Sequence, residues 1–417
     1  MPDERKAGSY SGGRPGIANA NPFVRVWSEK DYRRLSVLML VAGVSVSSAI
    51  PLVTLFLTEA LGVGESAAGL FFLTSLCAPL VNLYTGALSD RMESRVSLVR
   101  GITVWLALGW ALMGLSPHPA MAFAVGIVFV TFIGALNAQI FAVLRDVVER
   151  NGERREASVM STVRTGYSFG WTLGPVLGSL VAGWAGYRVA FALTAALFLS
   201  ALIPLAGLRV RRARRDREDR RGTEPARPRE MPSVRLAVFG LVCLLVLSGE
   251  TVRLAYLPIF ATDRLGMGLG QFGALMAMAP LTELVAMPLA GVLADRVGLS
   301  KVLVAGFALG ACGYLLFGVG GTTLSLYLGQ VLHACMIAVV FGLGVTYAQR
   351  LSPGSAGLAG SVFFSAQSLS ALTGSLLGSG GVWLVGLPTM FFMPAALLAA
   401  ACTLFVWNDR ARRKEVA

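Results

Sequence analysis

Residues Gly86 to Arg95 read GALSDRMESR, and Gly291 to Lys301 read GVLADRVGLSK, with Asp90 and Asp295 separated by 205 positions. A second echo lies just upstream. Phe56, Thr58, Leu61, Gly62, Gly64 and Gly69 recur as Phe260, Thr262, Leu265, Gly266, Gly268 and Gly273, each 204 residues later. Two matches at nearly one spacing mark a duplicated unit of about half the chain. Composition says what kind of unit it is. Of the 417 residues 55% are hydrophobic and only 14% charged, and the mean hydropathy of +0.67 excludes a water-soluble globular domain.

A membrane helix needs about 20 apolar residues. Breaking the chain at charged, Pro/Gly and strongly polar stretches gives twelve segments of that order: 35–57, 67–88, 96–115, 120–143, 158–182, 189–208, 234–261, 272–294, 302–319, 324–348, 358–382 and 389–406. None alternates polar and apolar residues as a barrel strand does. The expected fold class is therefore an all-α membrane protein of twelve transmembrane helices in two pseudo-symmetric six-helix bundles. Its organisation reads as a polar tail over 1–34, an N-terminal bundle over 35–208, a basic linker over 209–232, a C-terminal bundle over 233–408 and a tail over 409–417. The first apolar run starts too late for a cleaved leader peptide. Five cysteines lie inside apolar runs without CxxC spacing, so neither a disulfide framework nor a metal site is expected. With no nucleotide-binding loop and no Ser/His/Asp set, an enzyme, a cofactor and an ATP-driven pump are not expected either.

The formal charge of +13 and pI near 10.1 would suggest a nucleic-acid partner in a polar protein. Position decides otherwise. Of 36 basic residues, 32 fall on alternate connections, on the side that holds both termini and the linker RVRRARRDREDRRGTEPARPRE, whereas Arg188 and Arg264 lie opposite. The positive-inside rule makes that side cytoplasmic. The charge is then a topology label and a contact to anionic lipid rather than to nucleic acid.

The repeated G-x-L-x-D-R, built from Gly86, Asp90 and Arg91 and again from Gly291, Asp295 and Arg296, resembles the cytoplasmic gating loop of the major facilitator superfamily. Glycine there permits close helix packing. The first copy departs from the pattern, with Glu93 where glycine is usual and Ser94 where a base is usual. Gly170, Gly174, Pro175 and Gly178 resemble the glycine-proline signature of the superfamily's exporters, though they also suit a generic packing face. Leu55-Phe56-Leu57, Gly69-Leu70-Phe71, Ser89-Asp90, Gln139-x-Phe141-Ala142-x-x-Arg145-Asp146, Arg164-x-x-x-Ser168-x-x-Trp171-x-x-Gly174-Pro175, Pro258 and Glu283 resemble the bacterial sugar efflux transporters. That resemblance implies a monomeric carrier in the bacterial cytoplasmic (inner) membrane that exports small sugars or glycosides in exchange for protons. An exporter of amphipathic drugs with the same fold is the alternative; a sensor or scaffold that holds a partner on its basic loop is a third reading.

Ionisable side chains inside a span are costly and so are site candidates. Arg164 precedes Trp171 by two helical turns, which puts a guanidinium for paired hydroxyls and an indole for a sugar's apolar face on one side of the helix. Asp146 comes 18 residues before Arg164, across a loop joining antiparallel helices, where the two can meet. The acid, arginine and tryptophan look like the sugar site of lactose permease; a purely structural Asp146–Arg164 pair is the competing reading. Asn82, Tyr84, Asn137, Gln139, Tyr256 and Gln367 could complete a polar site. Glu283 has no base in its own helix and is the leading protonatable carboxylate, since ionising it in apolar surroundings is costly. Glu250 and Arg253, three apart, can pair on one helix face, as a fixed structural pair or as a bond remade in each cycle. His333 follows Gln330 as a histidine follows a lysine in lactose permease, but Met336 stands where that protein has its coupling carboxylate.

Overall fold

The computed structural model describes residues 22–152, 156–208, 233–352 and 356–416. The linker expected over 209–232 and most of the amino-terminal tail lie outside the described residues, as does the side chain of Asp90. Twelve long helices carry the fold: α1 (Lys30–Ala60), α2 (Glu65–Ser89), α3 (Arg95–Leu115), α4 (Pro119–Arg150), α5 (Glu156–Ala185), α6 (Tyr187–Ala206), α7 (Val234–Arg264), α8 (Leu269–Val297), α9 (Leu299–Val319), α10 (Thr323–Leu351), α11 (Ala356–Val385) and α12 (Thr389–Ala411). Eleven are long and apolar enough to cross a membrane; the other, α5, is rich in Gly, Ser and Thr and carries Arg164. A helix is what apolar chain must form in hydrocarbon, because it satisfies every backbone polar group internally.

Helix starts follow local chemistry. Ser233 accepts from the Leu236 amide at 3.3 Å and Thr322 from the Ser325 amide at 3.2 Å. α1 begins at Lys30, inside the stretch read as tail, because the charges there are satisfied in place: Arg150 of α4 donates to Asp31 at 2.6 Å and Arg34 to the Gly207 carbonyl at 2.7 Å. A short helix, Pro22–Ser28, precedes it. α1 and α7 both finish in a π-helical turn, Phe56–Ala60 and Phe260–Arg264. Gly62 and Gly266 follow with φ of 68° and 63°, so the 204-residue repeat extends to backbone conformation.

Packing repeats as well. Cβ atoms at Gly170 and Gly174 of α5 would lie 2.6 Å from the Val44 amide nitrogen and 2.7 Å from the Val44 carbonyl of α1, so only glycine permits this approach. One repeat further on, Gly374 of α11 lies as close to Ser248 and Thr251 of α7. The glycines of the α5 motif are therefore packing residues.

Among the described residues, these polar contacts between the halves gather at one end. Ser66 of α2 donates to the Ser379 carbonyl of α11 at 2.9 Å, Ser375 to the Gly69 carbonyl at 2.7 Å, and Tyr256 of α7 to the Ser66 carbonyl at 3.2 Å. Arg264 and Glu65 form an ion pair across the halves at 3.1 Å. All these residues lie opposite the basic loops. At the basic end, Arg95–Asp146 and Arg150–Asp31 stay within the first half, while Ser300–Asp409 and Asn408–Arg235 stay within the second. Neither Gly86 nor Gly291 has an atom within 4 Å of where a Cβ would stand. The close packing expected of the motif glycines is thus not made with the described residues in this conformation, which is shut at the end opposite the basic loops and open toward them.

A candidate substrate site between the halves

Three residues on one face of α5 build the N-terminal wall. Arg164, Tyr167 and Trp171 are spaced by three and four, so they stack along the helix. The Asn137 amide of α4 donates to the Tyr167 hydroxyl at 3.0 Å. The Tyr167 and Trp171 rings lie 6.4 Å apart at 56°, and the indole Nε1 is buried without a hydrogen-bond partner among the described residues. Arg164 is exposed and forms no ion pair with a described residue. The wall offers a free guanidinium and an aromatic plate, which suits a polyol with an apolar ring face.

The C-terminal wall faces it across the opening. Gly273 of α8 packs between Pro175 and Ser179 of α5, and extending that antiparallel register by ten residues sets Glu283 opposite 165–169, level with Tyr167. Glu283 pairs with no described base of its own half. Further in, Arg253 grips Glu250 with two bonds, Nε to Oε2 at 3.0 Å and Nη2 to Oε1 at 2.6 Å, and donates to the Gln330 side-chain oxygen at 3.1 Å. Gln330 in turn donates to the Leu275 carbonyl at 3.0 Å. His333 Nε2 lies 3.1 Å from Glu250 Oε2, off the line of a straight hydrogen bond, with its ring edge-on to Tyr314 at 5.4 Å. Arg253, Gln330 and His333 are buried. The Glu250–Arg253 pair expected from spacing is thus one edge of a larger closed cluster.

Several expected site residues stand elsewhere. Asp146 pairs with Arg95 of α3 at 3.5 Å and makes no pair with Arg164. Counting turns explains why: Asp146 sits about 6 Å from the end of α4 and Arg164 about 12 Å from the start of α5, so Arg95, at the start of α3, is the nearer base. Tyr256 is fully buried in the outer contact, against Gly69 and Gly378, and is not a wall of the opening. Gln139 is turned about 200° from Asn137 around α4 and is buried in the bundle. Asn82 rests on Gly134 of α4, and Tyr84, two residues on, is 70% exposed on the other side of α2. Gln367, and Asp295 and Arg296 of the expected gating loop, are exposed as Arg164 is, which does not set them apart from their expected places. Sequence reading missed Tyr167, although its spacing to Arg164 and Trp171 puts it on their face, and missed Arg95, Gln330 and Tyr314, whose roles depend on neighbouring helices. No cluster of His, Cys, Asp and Glu able to hold a metal occurs among the described residues.

The family model described as Major Facilitator Superfamily matches the chain over residues 35–268 and again over 238–417. Sugar efflux transporter A of Dickeya chrysanthemi is 27% identical, the match covering 90% of this chain and 94% of that protein. Multidrug resistance protein MdtG of Citrobacter koseri is 26% identical over 92% of this chain and 96% of its own. The crystal structure of the nucleoside transporter NupG superposes with a TM-score of 0.75 over 90% of this chain and 98% of that one at 12% identity, which is a likeness of fold.

Proposed function

The chain belongs to the Major Facilitator Superfamily, and on that premise we propose that it exports small sugars or glycosides from the bacterial cytoplasm in exchange for protons. The observation that carries the reading is the wall of Arg164, Tyr167 and Trp171 facing Glu283 at one level of the opening. The basic loops and both termini face the cytoplasm, so the described conformation receives substrate from inside. Arg164 holds paired hydroxyls, Trp171 lies on the pyranose face, and Asn137 orients the Tyr167 hydroxyl. When the outer contacts of Ser66, Tyr256, Ser375 and Glu65 part and the motif loops close, the same site faces outward. Glu283 takes a proton there and returns it inside; its neutral form lets the second half rock across the membrane without an unpaired charge. The Glu250–Arg253–His333 cluster holds the C-terminal helices together through the cycle.

Replacing Trp171 by Leu is expected to abolish sugar-dependent efflux from loaded vesicles while folded protein remains in the membrane. Unchanged flux overturns the assignment. The MdtG likeness supports a second reading, export of amphipathic compounds by the same route; side-by-side efflux of glycosides and hydrophobic cations separates the two.

A further inference from the structure

We propose that the outer flank of the N-terminal half holds one anionic phospholipid in the groove between α3 and α6. The open groove has a volume of about 680 Å³ and is lined by Arg100, Gly101, Val104, Trp105, Leu108, Leu202 and Ala206. Its walls are apolar and exposed: Val104 and Leu108 are each 46% accessible on the side away from the other half. Gly101 makes the space, since a Cβ there would meet nothing within 4 Å. From Arg100 to Leu108 the groove runs about 12 Å along the helix, the depth of roughly half a leaflet. The Trp105 indole is a fixed wall, stacked on Phe129 at 4.4 Å with its N–H held by the Val128 carbonyl at 3.1 Å.

The mouth is cationic and lies at the basic-loop end. Arg100 donates one bond, to the Leu205 carbonyl at 2.7 Å, and pairs with no described acid. Arg34 donates to the Gly207 carbonyl at 2.7 Å. Arg34 also pairs with Asp31 at 3.4 Å, so the free charge at the end of α6 is that of Arg100, which keeps most of its five donors for a phosphate. An acyl chain fits between Gly101, Val104 and Leu108 on one side and Leu202 and Ala206 on the other, with the charged headgroup at Arg100. This site is independent of the transported substrate.

Native mass spectrometry of the full chain, titrated with dioleoyl phosphatidylglycerol or dioleoyl phosphatidylcholine, tests it. One phosphatidylglycerol is expected to be retained in preference to phosphatidylcholine. Arg100→Gln, which removes the charge, and Gly101→Leu, which fills the groove, should each lower that occupancy about fivefold, whereas Arg33→Gln, an equal charge loss on the same face, should not. Equal retention of both lipids, unchanged occupancy in either groove variant, or an equal loss with Arg33→Gln overturns the proposal. Circular dichroism of each variant checks that the helices are intact.

Discussion

The two halves have the same helix order, the same π-helical turns and a glycine contact in common, at Gly170 and Gly374, yet their interiors do opposite things with charge. In the first half the donors are left open: the exposed Arg164 is unpaired and the buried Trp171 N–H has no acceptor among the described residues. In the second, Arg253, Glu250 and Gln330 bond one another with His333 beside them, and Glu283 pairs with none of them. A duplicated scaffold has thus been divided into a half that offers groups to a ligand and a half that keeps its charges to itself, with one carboxylate held in reserve.

The largest effect should come from that reserve. Glu283→Gln is expected to reduce uphill sugar efflux driven by a pH gradient to background, while sugar exchange without a gradient stays within about twofold. Flux in proteoliposomes reads both. If driven efflux survives in this variant, the proton is carried by the closed cluster and the division of labour fails.

Next is the cluster. Arg253→Gln leaves the partly buried Glu250 carboxylate, 28% accessible, without its main partner and should cost about 1–3 kcal/mol, seen as a drop in thermal midpoint. Adding Glu250→Gln should recover at least half of it. The matching change in the first half, Arg164→Gln, breaks no pair and should move stability by less than about 1 kcal/mol while it removes sugar flux. Equal losses of stability at the two arginines would erase the contrast.

Smaller effects test the shared scaffold. Gly174→Ala puts a Cβ 2.7 Å from the Val44 carbonyl and 2.8 Å from the Ser48 amide, an overpacking worth about 1–3 kcal/mol, whereas Gly86→Ala meets nothing and should leave thermal stability unchanged while slowing transport through the closed basic end. Tyr256→Phe removes one bond to Ser66, about 0.5–1.5 kcal/mol, and should shift the population toward the outward-open form by about two- to tenfold. Distances between spin labels at Leu61 and Leu265, on the two outer loops, report that shift.

The architecture was legible because hydrophobic runs and a 204-residue echo are one-dimensional signals. The site was legible where it depends on one helix: Arg164 and Trp171 follow from the helical period alone, and Tyr167 could have been added by the same rule. It was not legible where a second helix decides. Asp146 turns to Arg95, about fifty positions earlier in the chain, because α3 begins beside it. The fates of Tyr256 and of Gly86 and Gly291 depend on which end of the molecule is shut, and no spacing encodes that. His333 reads as a lone buried histidine until Glu250 is seen 3.1 Å away.

The Arg264–Glu65 pair has a consequence for the medium outside the cell. It clasps the two halves, yet its side chains are 52% and 28% accessible, so it is a surface ion pair worth no more than about 1 kcal/mol and weakens as dissolved ions shorten the screening length to about 8 Å at 0.15 M. The idle balance between the two facing states is therefore set partly by external salinity. In the orientation proposed above that end meets the external medium, so raising external salt is expected to favour the form open to the outside, by no more than about fivefold.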